Sequence, residues 1–225
     1  MTKDNENKHD HNPLHDHELE KDEVHEVLEF LRHNGMSIAI AVAIGVVASL
    51  GVVFYRGSQK QKREYAAQAL SAADSAESLT AITEEYAGTP SAPVAMLELA
   101  AQRFQEGDYS DAMAKYKDFK KKYPEHEMAA AVDVCILLCQ EASGSFDAAI
   151  AAADAFIADN PDHFMLPAAS FAKARCLMEK GELEEARTLY EDYIAANPED
   201  SWTVQAESSL EYVKQQIRAR KVASN

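Results

Sequence analysis

Positive charge is scarce in this sequence: 22 Lys and Arg stand against 38 Asp and Glu, a formal net charge of −16 at pH 7. Nucleic acid is a poor partner for such a surface, because phosphate binding relies on clustered Lys and Arg. Cysteine is scarcer still. Cys135, Cys139 and Cys176 sit among apolar residues, in odd number, with no CxxC and no nearby His ligand, and read as buried free thiols in preference to a disulfide or a metal site. They do not fix the compartment. A Gly-rich phosphate loop, an H-E-x-x-H motif and a Ser or Cys nucleophile in a recognisable catalytic setting are all missing. The expectation is therefore a protein that is not an enzyme, with no cofactor and no small-molecule substrate.

Long apolar runs are lacking too, except for one. Met36 to Tyr55, MSIAIAVAIGVVASLGVVFY, carries no charge between Arg32 and Arg56. At about 1.5 Å rise per residue, a helix of that length spans roughly 30 Å, the thickness of a bilayer's hydrocarbon core. A cleavable signal peptide calls for a short basic n-region and a shorter apolar run. This run follows a largely acidic polar stretch instead, and is read as a permanent single-pass transmembrane helix over residues 36–55. Within it Ala41, Gly45 and Ser49 recur every four residues. Such a stripe lets another membrane helix approach closely, although small residues are also simply frequent in membrane helices.

Residues 1–22, MTKDNENKHDHNPLHDHELEKD, hold almost no large apolar group and are expected to be a disordered acidic tail. His9, His11, His15 and His17, interleaved with Asp10 and Asp16, are weak candidate ligands for a borderline divalent ion, with no fixed geometry behind them. Residues 23–35 follow as an amphipathic lead-in, with Val24, Val27, Leu28 and Leu31 at helical spacing and Asn34-Gly35 as the break. Residues 56–90 form a polar, Ala-rich juxtamembrane helical segment ending in a half repeat, with Gly57-Ser58 as a hinge.

From Tyr86 the sequence repeats every 37 residues. Gly107, Gly144 and Gly181 share that spacing, as do Ala112, Ala149 and Ala186, then Phe119, Phe156 and Tyr193, and then Pro124, Pro161 and Pro198. Glycine permits the tight turn between two antiparallel helices, alanine their close packing, the aromatic the core between repeats, and proline the end of the second helix. Leu79 and Ile82 precede Tyr116 and Phe119 by the same interval and mark the half unit. Ala206, Leu210, Val213 and Ile217 make the apolar stripe of a terminal capping helix. The fold class is all-α: one N-terminal transmembrane helix, then a helical solenoid over residues 91–225.

These units resemble tetratricopeptide repeats, with the extra residues of the longer period falling after the proline (EHEM, DHFM, EDSW). The order of parts is similar to the YfgM family of bacterial ancillary Sec-translocon subunits: acidic tail, lead-in with an aromatic before Asn34-Gly35, Gly- and Ala-containing span, Tyr55-Arg56, and EYAGTPSAPVAMLELA at the first junction. The His-rich tail and the regularity of the repeats depart from that family. The resemblance implies a single-pass protein of the bacterial inner membrane, with a cytoplasmic N-terminus and a periplasmic repeat domain. Its implied partners are the Sec translocon, periplasmic chaperones or secreted clients. Charge flanking the span argues the other way. Arg56, Lys60, Lys62 and Arg63 outnumber Arg32 and Lys21, and the positive-inside rule would hold the repeats in the cytoplasm. The alternative to client binding is a structural scaffold for an envelope or cytoplasmic membrane complex.

The usual frame of such repeats puts the first helix of each unit on the concave surface. That surface would carry Val94, Leu97, Ala101 and Phe104, then Ala131, Val134 and Leu138, then Phe171, Arg175 and Met178. It is mostly apolar, and the Lys/Asn set that clamps a peptide's terminal carboxylate is missing. Two readings stand: an open groove for protein segments, or a core closed by the helix between Tyr65 and Tyr86. Lys115, Lys117, Lys120, Lys121 and Lys122 form the one basic cluster of the repeats and read as a solvated helix face. His126 and His163 occupy equivalent loop positions after the prolines.

Overall fold

A computed structural model describes the backbone of residues 13–223 and the side chains of residues 28–223. Nine helices, and no strand, are present among the described residues. They are α1 (Pro13–Ala72), α2 (Ala76–Glu85), α3 (Ser91–Gln105), α4 (Tyr109–Lys122), α5 (Ala129–Ala142), α6 (Phe146–Asp159), α7 (Leu166–Lys180), α8 (Leu183–Ala196) and α9 (Thr203–Ala223). The chain divides into two compact units, Met1–Gln61 and Lys62–Asn225, with α1 passing from one into the other.

In the first unit α1 is one unbroken helix, long and apolar enough from Leu28 onward to cross a membrane. Its apolar side chains, among them Ile44, Val47, Leu50 and Phe54, are exposed. Lipid is the solvent that fits such a surface. The break expected at Asn34-Gly35 and the hinge at Gly57-Ser58 are not there, since the helix runs through both. Glycine in a helix interior costs only about 1 kcal/mol relative to alanine, which the hydrogen-bonded turns on either side outweigh. Ser49 Oγ donates to the Gly45 carbonyl oxygen at 2.7 Å, which satisfies its hydroxyl within the helix. Ala41, Gly45 and Ser49 are uncovered. The tail expected to be disordered falls partly on residues 1–12, outside the described residues, and partly on residues 13–22, whose backbone lies within α1.

In the second unit the 37-residue period is a stack of helical hairpins, α3/α4, α5/α6 and α7/α8, each helix packing on the next in the chain. The three hairpin turns share one hydrogen-bond pattern. Asp108, Ser145 and Glu182 N–H donate to the carbonyls five residues back, of Arg103, Gln140 and Leu177, while Gly107, Gly144 and Gly181 N–H donate to those three back. Closing both bonds requires a left-handed residue, and the three glycines have φ of 83°, 77° and 81°. Ala112, Ala149 and Ala186 are fully buried where the paired helices touch, and Phe119, Phe156 and Tyr193 fill the spaces between hairpins.

The second helices stop at Tyr123, Asn160 and Asn197, each just before a proline, whose ring disfavours helical geometry in the residue ahead of it. Beyond lie the extra residues of the long period. His126 Nδ1 accepts from Met128 N–H and His163 Nδ1 from Met165 N–H, both at 3.1 Å, and Asp200 Oδ1 accepts from Trp202 N–H at 2.9 Å. The two loop histidines are thus turn-closing acceptors, interchangeable in role with an aspartate. Their rings also pack on Phe119 and Phe156.

At the N-terminal end Leu79 and Ile82 of α2 bury against Ala95 and Leu99 of α3, with Ala69 and Leu70 from the end of α1. This is the half unit. At the other end α9 seals the last hairpin with Ala206 and Val213, flanked by Leu210 and Ile217. Cys139 and Cys176, fully buried and 37 residues apart, and half-buried Cys135 are all free thiols. Burial pushes the Cys139 and Cys176 thiols up to about 11.

Candidate functional site

The first helices of successive hairpins, α3, α5 and α7, and the final α9 present the same register inward, so side chains 37 residues apart fall in one row. Ala101, Leu138, Arg175 and Tyr212 make one row, and Phe104, Glu141 and Met178 the next turn along. Two clefts lie along them. One, of about 430 Å³, is lined by Glu141 of α5, Arg175, Met178 and Glu179 of α7, Tyr190 of α8, and Ser208, Ser209 and Tyr212 of α9. The other, of about 560 Å³, is lined by Phe104, Leu138, Glu141, Ala142, Phe146, Arg175 and Glu179. Glu141, Arg175 and Glu179 belong to both, so the two form one groove across α3, α5, α7 and α9.

An ion pair stands at the middle of it. Arg175 Nε donates to Glu141 Oε1 at 2.5 Å and Nη2 to Oε2 at 2.7 Å, a two-pronged contact between neighbouring repeats. Its planar geometry suits arginine and carboxylate alone. Hydrogen bonding to Glu141 raises the Arg175 pKa, against the opposing effect of burial. Tyr190, almost fully buried, has its phenol pushed up by burial while its hydrogen bond with Ser209 and the charge of Arg175 act in the other direction. Glu179, one turn beyond Arg175, is exposed, and among the described residues no cation pairs with it.

The ten residues that the repeat frame puts on the groove separate into two sets. Phe104, Leu138, Arg175 and Met178 line the clefts, and Ala101 is half-buried in the same row. Val94 is exposed and Leu97 packs half-buried on the core between α3 and α5, but neither lines a cleft. Ala131, Val134 and Phe171 are corrections, for they are 2%, 0% and 2% exposed and belong to the core. The inner helices α5 and α7 touch one another directly, which closes this part of the inward face. The stretch from Tyr65 to Tyr86 lines neither cleft, because α2 stacks on the end of the solenoid against Ala95 and Leu99.

Glu141, Glu179, Tyr190 and Tyr212 complete the groove without having been singled out by the sequence. The period could have found two of them: Tyr212 lies 37 residues after Arg175, and Glu141 lies 37 after Phe104. The basic cluster of α4 lies outside both clefts, with Lys120 paired to Asp133 and Lys115 to Asp111. No grouping of His, Cys, Asp and Glu suited to a metal ion occurs among the described residues, and the histidine side chains of the tail lie outside them.

A family profile described as a tetratricopeptide repeat-like domain matches residues 29–215. No curated protein matches the chain. Among solved structures, a kinesin light chain of Podosopora anserina with nearly identical TPR-like repeats superposes with a TM-score of 0.54 at 20% identity, over 75% of this chain and 89% of that one. MamA from Desulfovibrio magneticus RS-1, from residue 41 to its end, gives 0.52 at 17% identity, over 74% and 89%. A tetratricopeptide repeat protein from Parabacteroides merdae gives 0.51 at 13% identity, over 71% and 61%. Likeness at these identities is a likeness of fold.

Proposed function

The chain belongs to the tetratricopeptide repeat-like domain family, and on that premise we propose that it is a membrane-anchored protein-binding protein whose groove receives segments of partner proteins. The observation that carries this reading is the continuous groove along α3, α5, α7 and α9, with aromatic and aliphatic side chains in its lining and a partly buried ion pair at its middle. Large rigid side chains of this kind, arranged in a concavity, are what dominate binding energy at protein interfaces.

The finer reading is an ancillary subunit of the Sec translocon, in contact with secreted clients or periplasmic chaperones. Its support is the order of parts in the sequence, from the acidic tail through the span to the first repeat junction. The tail then lies in the cytoplasm and residues 56–225 in the periplasm. The stripe Ala41, Gly45 and Ser49 is the face that another membrane helix would meet. Purification of the full chain in mild detergent tests this role: translocon subunits with heterogeneous secreted proteins are expected, and a fixed set of other partners would reject it.

A second reading is favoured by one observation, the excess of Arg56, Lys60, Lys62 and Arg63 on the repeat side of the span. It makes the protein a cytoplasmic scaffold of a membrane complex. Protease added to spheroplasts separates the two, since only a periplasmic repeat domain is digested while the inner membrane is intact.

A further inference from the structure

The charge of the groove is uneven, and the unevenness selects a partner. Glu141 and Arg175 neutralise each other through both oxygens and two guanidinium nitrogens. Glu179 lines both clefts and forms no ion pair among the described residues, Arg175 one turn away being held by Glu141, so the groove as a whole carries one net negative charge. The unit around it has the same sign, with 28 Asp and Glu against 16 Lys and Arg over residues 62–225. The Lys-rich face of α4 contributes nothing to either cleft. Around Glu179 the walls are apolar or aromatic: Phe104, Leu138, Phe146, Met178 and Tyr212.

Resting on the groove reading above, we infer that the occupant is a cationic amphipathic segment of a protein, whose apolar side chains seat on Leu138, Met178 and Tyr212 while a Lys or Arg pairs with Glu179. An acidic segment would set a carboxylate against Glu179 and against the field of the whole unit, and Arg175 offers it only a charge that Glu141 already neutralises. Like-charge contact of this kind is how a surface rejects the wrong partner.

The test uses the full chain in nanodiscs of zwitterionic lipid, with empty nanodiscs as the blank. Two fluorescent 14-residue peptides serve as probes, one of Leu and Lys with Leu at helical spacing, the other with every Lys replaced by Glu. Anisotropy should show the Lys peptide binding at least about tenfold more tightly than the Glu peptide at moderate salt, with the margin narrowing as salt rises. Glu179→Gln should weaken the Lys peptide about threefold and Glu179→Lys about tenfold, with circular dichroism unchanged. Equal binding of both peptides, abolished by Leu138→Asp, would overturn the charge inference and leave the groove reading standing. A preference for the Lys peptide that Glu179→Lys does not alter would overturn it as well, by locating the site elsewhere on the acidic surface. Binding of neither peptide would overturn both readings.

Discussion

Replacing either member of the Glu141–Arg175 pair should cost stability, and the two costs should differ. The Glu141 side chain is 18% exposed and that of Arg175 is 42% exposed. Fully exposed ion pairs contribute about 0.2–1 kcal/mol, and hydrogen bonds to buried charged groups about 1.5–3 kcal/mol. Arg175→Met keeps the aliphatic stem but strands a carboxylate with little access to water, so it should lose about 2 kcal/mol. Glu141→Ala leaves a guanidinium that water can reach, and the loss should be closer to about 1 kcal/mol. For a chain of this size each kcal/mol lowers the Tm by roughly 2–4 °C. Equilibrium urea unfolding of the full chain in detergent measures both variants and the double variant. The double variant should cost about 1 kcal/mol less than the sum of the single ones, because the second substitution removes a charge already stranded. Additivity within about 0.3 kcal/mol would mean that the pair holds nothing together, and equal single costs would refute the burial reasoning.

Three further outcomes are expected. His163→Asp should keep the turn that closes on Met165 N–H, as Asp200 does in the next repeat, and should be about 1 kcal/mol more stable than His163→Ala in the same unfolding assay. Gly144→Ala and Gly181→Ala should each cost about 1–2 kcal/mol through their positive φ, since the one close neighbour of an added Cβ, the Arg220 guanidinium at Gly181, is the movable end of an exposed side chain. Cys139 and Cys176 hold their protons more tightly folded, at about 11, than at the ordinary thiol value of 9.0. The stability this contributes is whole below about pH 9 and is lost as pH rises toward about 11, so the Tm should fall across that window, and less steeply in Cys139→Ala/Cys176→Ala.

What could be read from the sequence was what repeats. Gly107, Gly144 and Gly181 mark a turn whose geometry only a left-handed residue satisfies, and Ala112, Ala149 and Ala186 mark a contact too close for a larger side chain. Such requirements recur identically and leave a visible period. Burial depth left no such trace. Leu97, Val134 and Phe171 occupy one register position, yet Leu97 is half-buried and the other two are in the core. How closely α5 and α7 approach depends on all the side chains between them. Arg175 stands out in an apolar row, but its partner Glu141 is 34 residues away on another helix, and the two meet only once the hairpins stack. Asn34-Gly35 shows the reverse, a local breaking signal overridden by the long helix on either side.

The central claim, that the groove is the protein-binding surface, is tested most directly by crosslinking in native membranes. A photoreactive amino acid placed at Leu138 or Met178, inside the groove, should give discrete protein adducts. The same residue at Ala151, on the exposed side of α6, should give few or none. Adducts of equal yield and identity from Ala151, or none from Leu138 and Met178, would contradict the claim.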